Sequence, residues 1–344
     1  MSGPVDALDR TQRRFPPLGI PLAVAYKYVE DQGFYLAAII TFYAFIAVFP
    51  LLLLAATGFA FLLQGDPELQ QRALDSTLRQ FPVIGEELGR PEGLQGSAFA
   101  VVAGSLLALY GSLGLGTAVQ NAMNVAWSVP RADRPNPIVL RFKSLLLVLA
   151  AGVAVVGVTA VSVAGRETAV LGDELGAGLR WAFAVVTVLL VALVLTLLFR
   201  LAAAREHPWW YAAPGGVLVA VGWQGLQVLS AAYLVQVLAS TSSMNQTFGL
   251  VLGLVGLIFL AATIGVLGME LNVVIARRLW PRSLMTPFTD AVDLTEADRR
   301  AYTGYARAQR YKGFEHVAVT FSPRIELEDG SGPAAPEGTA GPRA

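Results

Sequence analysis

The chain has 344 residues, of which 55% are hydrophobic and only 15% charged, against about 45–50% and about 25% in ordinary globular proteins. The 25 basic residues cancel the 25 acidic ones, so no global charge draws the protein to nucleic acid. Cysteine is absent, which excludes disulfides, thiolate metal sites and cysteine nucleophiles. The two histidines, His207 and His316, stand far apart and leave no histidine-rich metal or acid–base centre.

In chain order, residues 1–17 read as a polar tail without the apolar core and cleavage site of a secretory signal, so no processing is expected. Leu18, Leu22, Tyr26 and Val29 recur at helical spacing, with Lys27, Glu30 and Asp31 between them. That pattern predicts an amphipathic helix lying on the membrane surface. Six stretches without Asp, Glu, Lys or Arg follow, at about 33–63, 98–127, 144–164, 181–199, 212–239 and 247–269. Each approaches or exceeds the roughly 20 residues a helix needs to cross a hydrocarbon core of about 30 Å. Because lipid offers the backbone no hydrogen-bond partners, and period-two alternation is lacking, helices are the expected spanning structure. The reading is therefore an all-α, polytopic membrane protein whose six-helix transmembrane domain occupies 18–282.

Between the first two spans, Leu69, Ala73, Leu78, Phe81 and Leu88 form a helical stripe, which predicts short external helices. Residues 283–329 are expected to hold a soluble helix over Asp290–Lys312, starting near Leu294, and 330–344, rich in Gly, Pro, Ala and Glu, a disordered tail. Of the Lys and Arg residues outside the spans, 20 fall on the side carrying both termini and 5 on the other. The positive-inside rule then puts both termini in the cytoplasm.

Polar residues within spans are the candidates for function, since burying them in lipid is costly. Asn121 and Asn124 share one face of the second span, and Gln224 and Gln227 one face of the fifth. They are expected either to line a cavity that accepts a polar headgroup or simply to tie helices together. Glu270, at the end of the sixth span, is expected to pair with a basic residue on the same side, Arg141 foremost. Pro50 is expected to kink the first span. Gly249 and Gly253 form a literal close-packing motif in the sixth.

Several segments carry a resemblance. Ala37–Leu52, with Phe49-Pro50 near its end, Asn121-Ala-Met-Asn124-Val-Ala-Trp127, Pro214-Gly215-Gly216, Asn245-Gln-Thr-Phe-Gly249 and Gly268-Met-Glu-Leu-Asn272 occur in order over roughly residues 20–280. Together they resemble the YihY / virulence factor BrkB family of bacterial inner-membrane proteins, formerly described as ribonuclease BN-like. The resemblance implies six helices, a plasma-membrane location and roles in the envelope or its lipids. A nuclease would need a carboxylate or histidine cluster holding metal, and the sequence supplies none, so no enzyme activity and no cofactor are expected. Two functions remain: transport or flipping of a lipid or other amphiphile, with the bilayer and a lipid substrate as partners, or a non-transporting scaffold for envelope proteins. Oligomeric state is not legible.

Overall fold

The computed structural model describes residues 9, 11–12, 14–62, 98–167, 173–204, 207–240, 243–284, 286 and 292–321. Among them the regular structure is helical, with no strand. A first helix, α1 (Pro16–Glu30), is followed by α2 (Gly33–Leu62), α3 (Ala98–Ala126), α4 (Pro137–Glu167), α5 (Asp173–Ala202), α6 (Trp209–Ser240), α7 (Ser243–Arg277) and α8 (Glu296–Ala308). Each of α2 to α6 packs on the next, α7 closes back on α2, and α3 also touches α5 and α7. The result is a ring of six long helices, with α1 laid against α7 at one end.

The helices outrun the charge-free stretches. α4 begins at Pro137, a residue pre-set for a first helical turn, and carries Arg141 and Lys143 before its apolar part. α7 continues past Met269 to Arg277. Long basic side chains at helix ends reach the polar interface, so their presence does not end the helix. Lys143 illustrates this by donating to the carbonyl of Ala203 just past α5, 3.0 Å away.

Among the described residues, four helices are long and apolar enough to cross a membrane, within 137–154, 185–202, 209–233 and 248–277, or five if the bent pair α1–α2 is one span. The outward faces are apolar: Phe34, Phe42, Leu106, Phe142, Leu189, Val228 and Leu252 are all exposed. This inverts the pattern of a water-soluble bundle and suits contact with lipid.

α1 and α2 meet at a bend of 69°. Asp31 ends α1, Gln32 takes a left-handed conformation with φ of 57°, and Gly33 starts α2. The Tyr28 ring lies so close that a Cβ on Gly33 would sit 2.3 Å from it, so the corner requires glycine. α1 keeps part of the expected apolar stripe outward but buries its lysine against protein instead of presenting it to water. Leu18 and Val29 are exposed, whereas Ala23, Val24, Lys27 and Tyr28 are buried against the bundle. The helix buries its charge toward protein and turns part of its apolar stripe outward.

Small residues set the closest helix contacts. A Cβ on Gly111 would lie 2.8 Å from the Ala47 backbone, which brings α3 onto α2, and one on Gly215 would lie 2.1 Å from the carbonyl oxygen of Gly268, which brings α6 onto α7. At that crossing Asn272 accepts a 2.7 Å hydrogen bond from the Gly215 amide. At the other end of the same pair, the Tyr233 ring covers Gly253 and its hydroxyl donates to the carbonyl of Gly249 at 3.0 Å. α8 falls inside the stretch 290–312 expected to be helical but is shorter, ending at Ala308 with Gln309 as its cap. Thr295 and Asp298 make a capping box, Thr295 Oγ1 accepting from the Asp298 amide and the Asp298 carboxylate from the Thr295 amide.

α2 is helical through Pro50. The side chains from residue 49 onward in that helix lie outside the described residues, and so do the external stripe between 64 and 97 and the tail from 330.

Candidate functional site

The ring of helices surrounds a cavity of about 350 Å³. All six contribute: Ile40 and Ala44 from α2, Leu115 and Val119 from α3, Leu147 and Ala151 from α4, Leu195 and Phe199 from α5, Val219 and Trp223 from α6, and Ile258, Ala262, Gly265 and Met269 from α7. The lining is apolar apart from the indole edge of Trp223. A Cβ on Gly265 would meet nothing within 4 Å, so this glycine leaves open space rather than a tight contact.

None of the four amides expected at a cavity lines this one. Asn121 Oδ1 lies 3.4 Å from the Arg134 guanidinium, in the connection between α3 and α4. Asn124 is buried, and its Oδ1 has no hydrogen-bond partner. Gln224 and Gln227 are half-buried on α6, where the preceding Trp223 takes the inward position. A step of one residue turns a helix by about 100°, so the side chain beside the inward one points elsewhere. Besides Asn272, an amide that ties helices together is Gln120. Fully buried on α3, it donates to the Leu140 carbonyl at 3.1 Å and to Ser144 Oγ at 2.9 Å, both on α4.

Directly below the cavity, at the end where α1 lies, the buried polar groups are charged. Lys27 Nζ stands 2.5 Å from Asp31 Oδ2, one turn on, and 3.3 Å from Glu270 Oε2 of α7. All three side chains are buried, and the Tyr305 ring of α8 covers the ammonium with its centroid 5.2 Å away. Glu270 therefore pairs with Lys27 and not with Arg141, which is exposed on α4. The expectation of a structural ion pair with a base stands corrected as to the base, because α1 folds back under the bundle and delivers a lysine to α7 from a part of the chain read as surface helix.

A second cluster adjoins the first. Arg282 is fully buried; its Nε bonds Asp298 Oδ1, and its two terminal nitrogens reach the Glu30 carboxylate at 2.6 and 3.2 Å. The guanidinium is flanked by the rings of Tyr302 and Tyr26, with centroids at 5.5 and 5.9 Å. Glu30 also accepts from the Tyr305 hydroxyl at 2.8 Å, and Asp298 from the Ser283 amide at 3.0 Å. Burial opposes the charge on Arg282, but hydrogen bonds and charges of Glu30 and Asp298 outweigh it and hold the group above its ordinary pKa. Burial, with the neighbouring Glu30 charge, pushes the Tyr302 phenol up to about 12. The Tyr305 phenol is raised for the same first reason, with Asp31 and Glu30 adding to it.

The two clusters clamp α1, the end of α7 and α8 into one junction. Sequence reasoning missed Lys27 and Arg282 as its centres, although the four-residue spacing of Lys27 and Asp31 and the Thr295–Asp298 capping pair were signals for parts of it. Among the described residues no group of three His, Cys, Asp or Glu side chains is placed to hold a metal ion.

Long apolar helices closed around a central cavity, with an apolar outer surface and charge gathered at one end, define a multi-helix membrane protein. The sequence matches the family described as Virulence factor BrkB over residues 24–289, and the chain belongs to that family. No curated protein and no solved structure matches it.

Proposed function

We propose that the protein transports or flips a lipid or other amphiphile across a bacterial inner membrane, through six spans with both termini in the cytoplasm, and that the apolar part of the substrate occupies the central cavity. The observation that carries this reading is the cavity itself. An apolar space of about 350 Å³ to which all six helices contribute falls within the size range of small-molecule sites. It offers nothing to a hydrated solute and suits an acyl or isoprenoid chain. The orientation rests on the 20-to-5 distribution of basic residues, which makes the charged junction the cytoplasmic end. Rigid docking of α1 and α8 at that end favours a second reading, a scaffold that presents these helices to other proteins.

Reconstitution separates the two. The parent protein is placed in liposomes and labelled-lipid exchange between leaflets is followed beside Gly265→Leu and Ala261→Phe, which fill the cavity. Exchange by the parent that both substitutions abolish, at equal protein level and unchanged melting, is the expected result. Exchange that survives both removes the cavity from the pathway. A parent inactive on every lipid class leaves the scaffold.

A further inference from the structure

Between α8 and the ends of α3 and α7 lies a second pocket, of about 510 Å³, lined by Arg277, Arg299, Arg300, Arg307, Ser128, Pro130, Thr303 and Gly304. Four arginines line it, and no Asp or Glu is among the lining residues. The contrast with the rest of the junction is local. Arg282 receives two carboxylates, and Arg310, at the end of α8, pairs with Asp133 at 2.9 Å. Arg299, Arg300 and Arg307 form no ion pair among the described residues, although they lie on the same short helix.

Spacing explains the arrangement. Residues 299, 300, 303, 304 and 307 fall three or four apart on one helical face. Gly304 leaves that face without a side chain at its middle; a Cβ there would lie 3.5 Å from an Arg277 nitrogen and 3.8 Å from Ser128 Oγ. Two of the arginines are fixed in place. Arg277 donates to the Trp127 carbonyl and stands over that indole, 5.8 Å from its centroid. Arg300 donates to the Arg278 carbonyl at 2.6 Å. Like charges so gathered repel one another, and a bound anion would reverse the sign of that interaction. Planar guanidinium forks match phosphate oxygens two at a time, and all four bases here are arginine rather than lysine. The space is far larger than a bare ion requires and fits a phosphate with the organic group it esterifies.

We propose that Arg277, Arg299, Arg300 and Arg307 form a binding site for a phosphate ester, with the Ser128 and Thr303 hydroxyls as further donors. The site lies beside the ends of α3 and α7, where lipid headgroups and soluble phosphorylated solutes both have access. It is independent of the central cavity and of what that cavity takes.

The test uses the full-length protein in neutral detergent and two probes. Inorganic pyrophosphate represents a soluble phosphate; phosphatidylglycerol in mixed micelles, with diacylglycerol as its phosphate-free control, represents a headgroup. Saturable binding of at least one probe is expected, weakened at least about tenfold in the Arg299→Gln/Arg307→Gln double variant, as loss of charge-assisted contacts predicts. Gly304→Glu, which puts a carboxylate into the pocket, should weaken it as well. Pyrophosphate binding assigns a soluble ligand, and binding of phosphatidylglycerol alone assigns a lipid headgroup. A readout free of any variant is arginine modification by phenylglyoxal, in which the bound probe should protect Arg299 and Arg307 but not Arg14. Absence of binding by both probes, equal binding by the variants, or lack of protection overturns the site.

Discussion

Met269 lines the central cavity, and Glu270, the next residue of α7, belongs to the charged junction. Above that point the inward side chains are aliphatic or aromatic and leave space. Below it lie ionisable groups, Lys27 facing Asp31, Glu270 and the Tyr305 ring, and Arg282 facing Glu30, Asp298 and two tyrosine rings. Loose apolar packing costs only the contacts it forgoes, whereas a buried charge without its partner costs several kcal/mol per ion. The cavity therefore tolerates change of shape and the junction does not.

Removing the centre of the junction should have the largest effect. Arg282→Met leaves the buried Asp298 and the partly buried Glu30 without their base, a change that lowers stability by about 3–5 kcal/mol. Thermal unfolding in detergent measures it, and faster tryptic cleavage at Arg299 and Arg300 should report release of α8. An unaltered melt would erase the distinction between the two regions.

Next come Lys27→Met and Glu270→Gln. Each alone should lower the melting temperature, while the double variant recovers part of the loss, with a coupling of about 1–3 kcal/mol. The same cycle with Arg141→Gln in place of Lys27→Met should be additive to within about 0.5 kcal/mol. Coupling to Arg141 instead would put α1 in the wrong place. Asn272→Leu deletes the acceptor for the Gly215 amide where α6 crosses α7, and should cost about 0.6–1.7 kcal/mol, the range for hydrogen bonds between helices in a membrane. A melt unmoved by that change would mean that packing of the glycines holds the crossing by itself.

These residues also show what was legible in the sequence. Absence of charge located the centre of each long helix but not its ends, because arginine and lysine at the interface, such as Arg141 and Lys143, do not interrupt helical hydrogen bonding. The start expected near Leu294 falls beside the observed cap at Thr295, since a cap is a local device. Lys27 was misjudged for the opposite reason. Periodicity identifies a face but not its partner, and apart from Asp31 the partners of Lys27 and Glu30 lie at residue 270 and beyond. Asn121, Asn124, Gln224 and Gln227 were assigned to faces by spacing alone, and rotation of each helix about its axis, which decides what faces inward, is set by contacts such as Gly215 with Gly268.

The smallest expected effect is a pH dependence. Tyr302 is held neutral in the fold up to about pH 12, whereas an unfolded tyrosine ionises near pH 10. The neutral phenol is thus favoured by folding, so its stabilisation is whole below pH 10 and declines as pH rises toward 12. Tyr302→Phe should make the alkaline fall in melting temperature shallower and leave the neutral melt nearly unchanged. A parallel fall in both proteins would assign the alkaline loss to other groups.

The junction also imposes a timetable on synthesis. Glu30 is separated from Arg282 by 252 residues and from Tyr305 by 275, so α1 leaves the ribosome with the Glu30 carboxylate long before its partners exist. At about 5–20 residues per second the interval is on the order of 10–50 s, during which α1 lacks Arg282 and α8, the groups that hold it in place. Only when the chain beyond α7 has been made can α1 and α8 lock together, so this step of assembly joins two segments that lie far apart along the polypeptide.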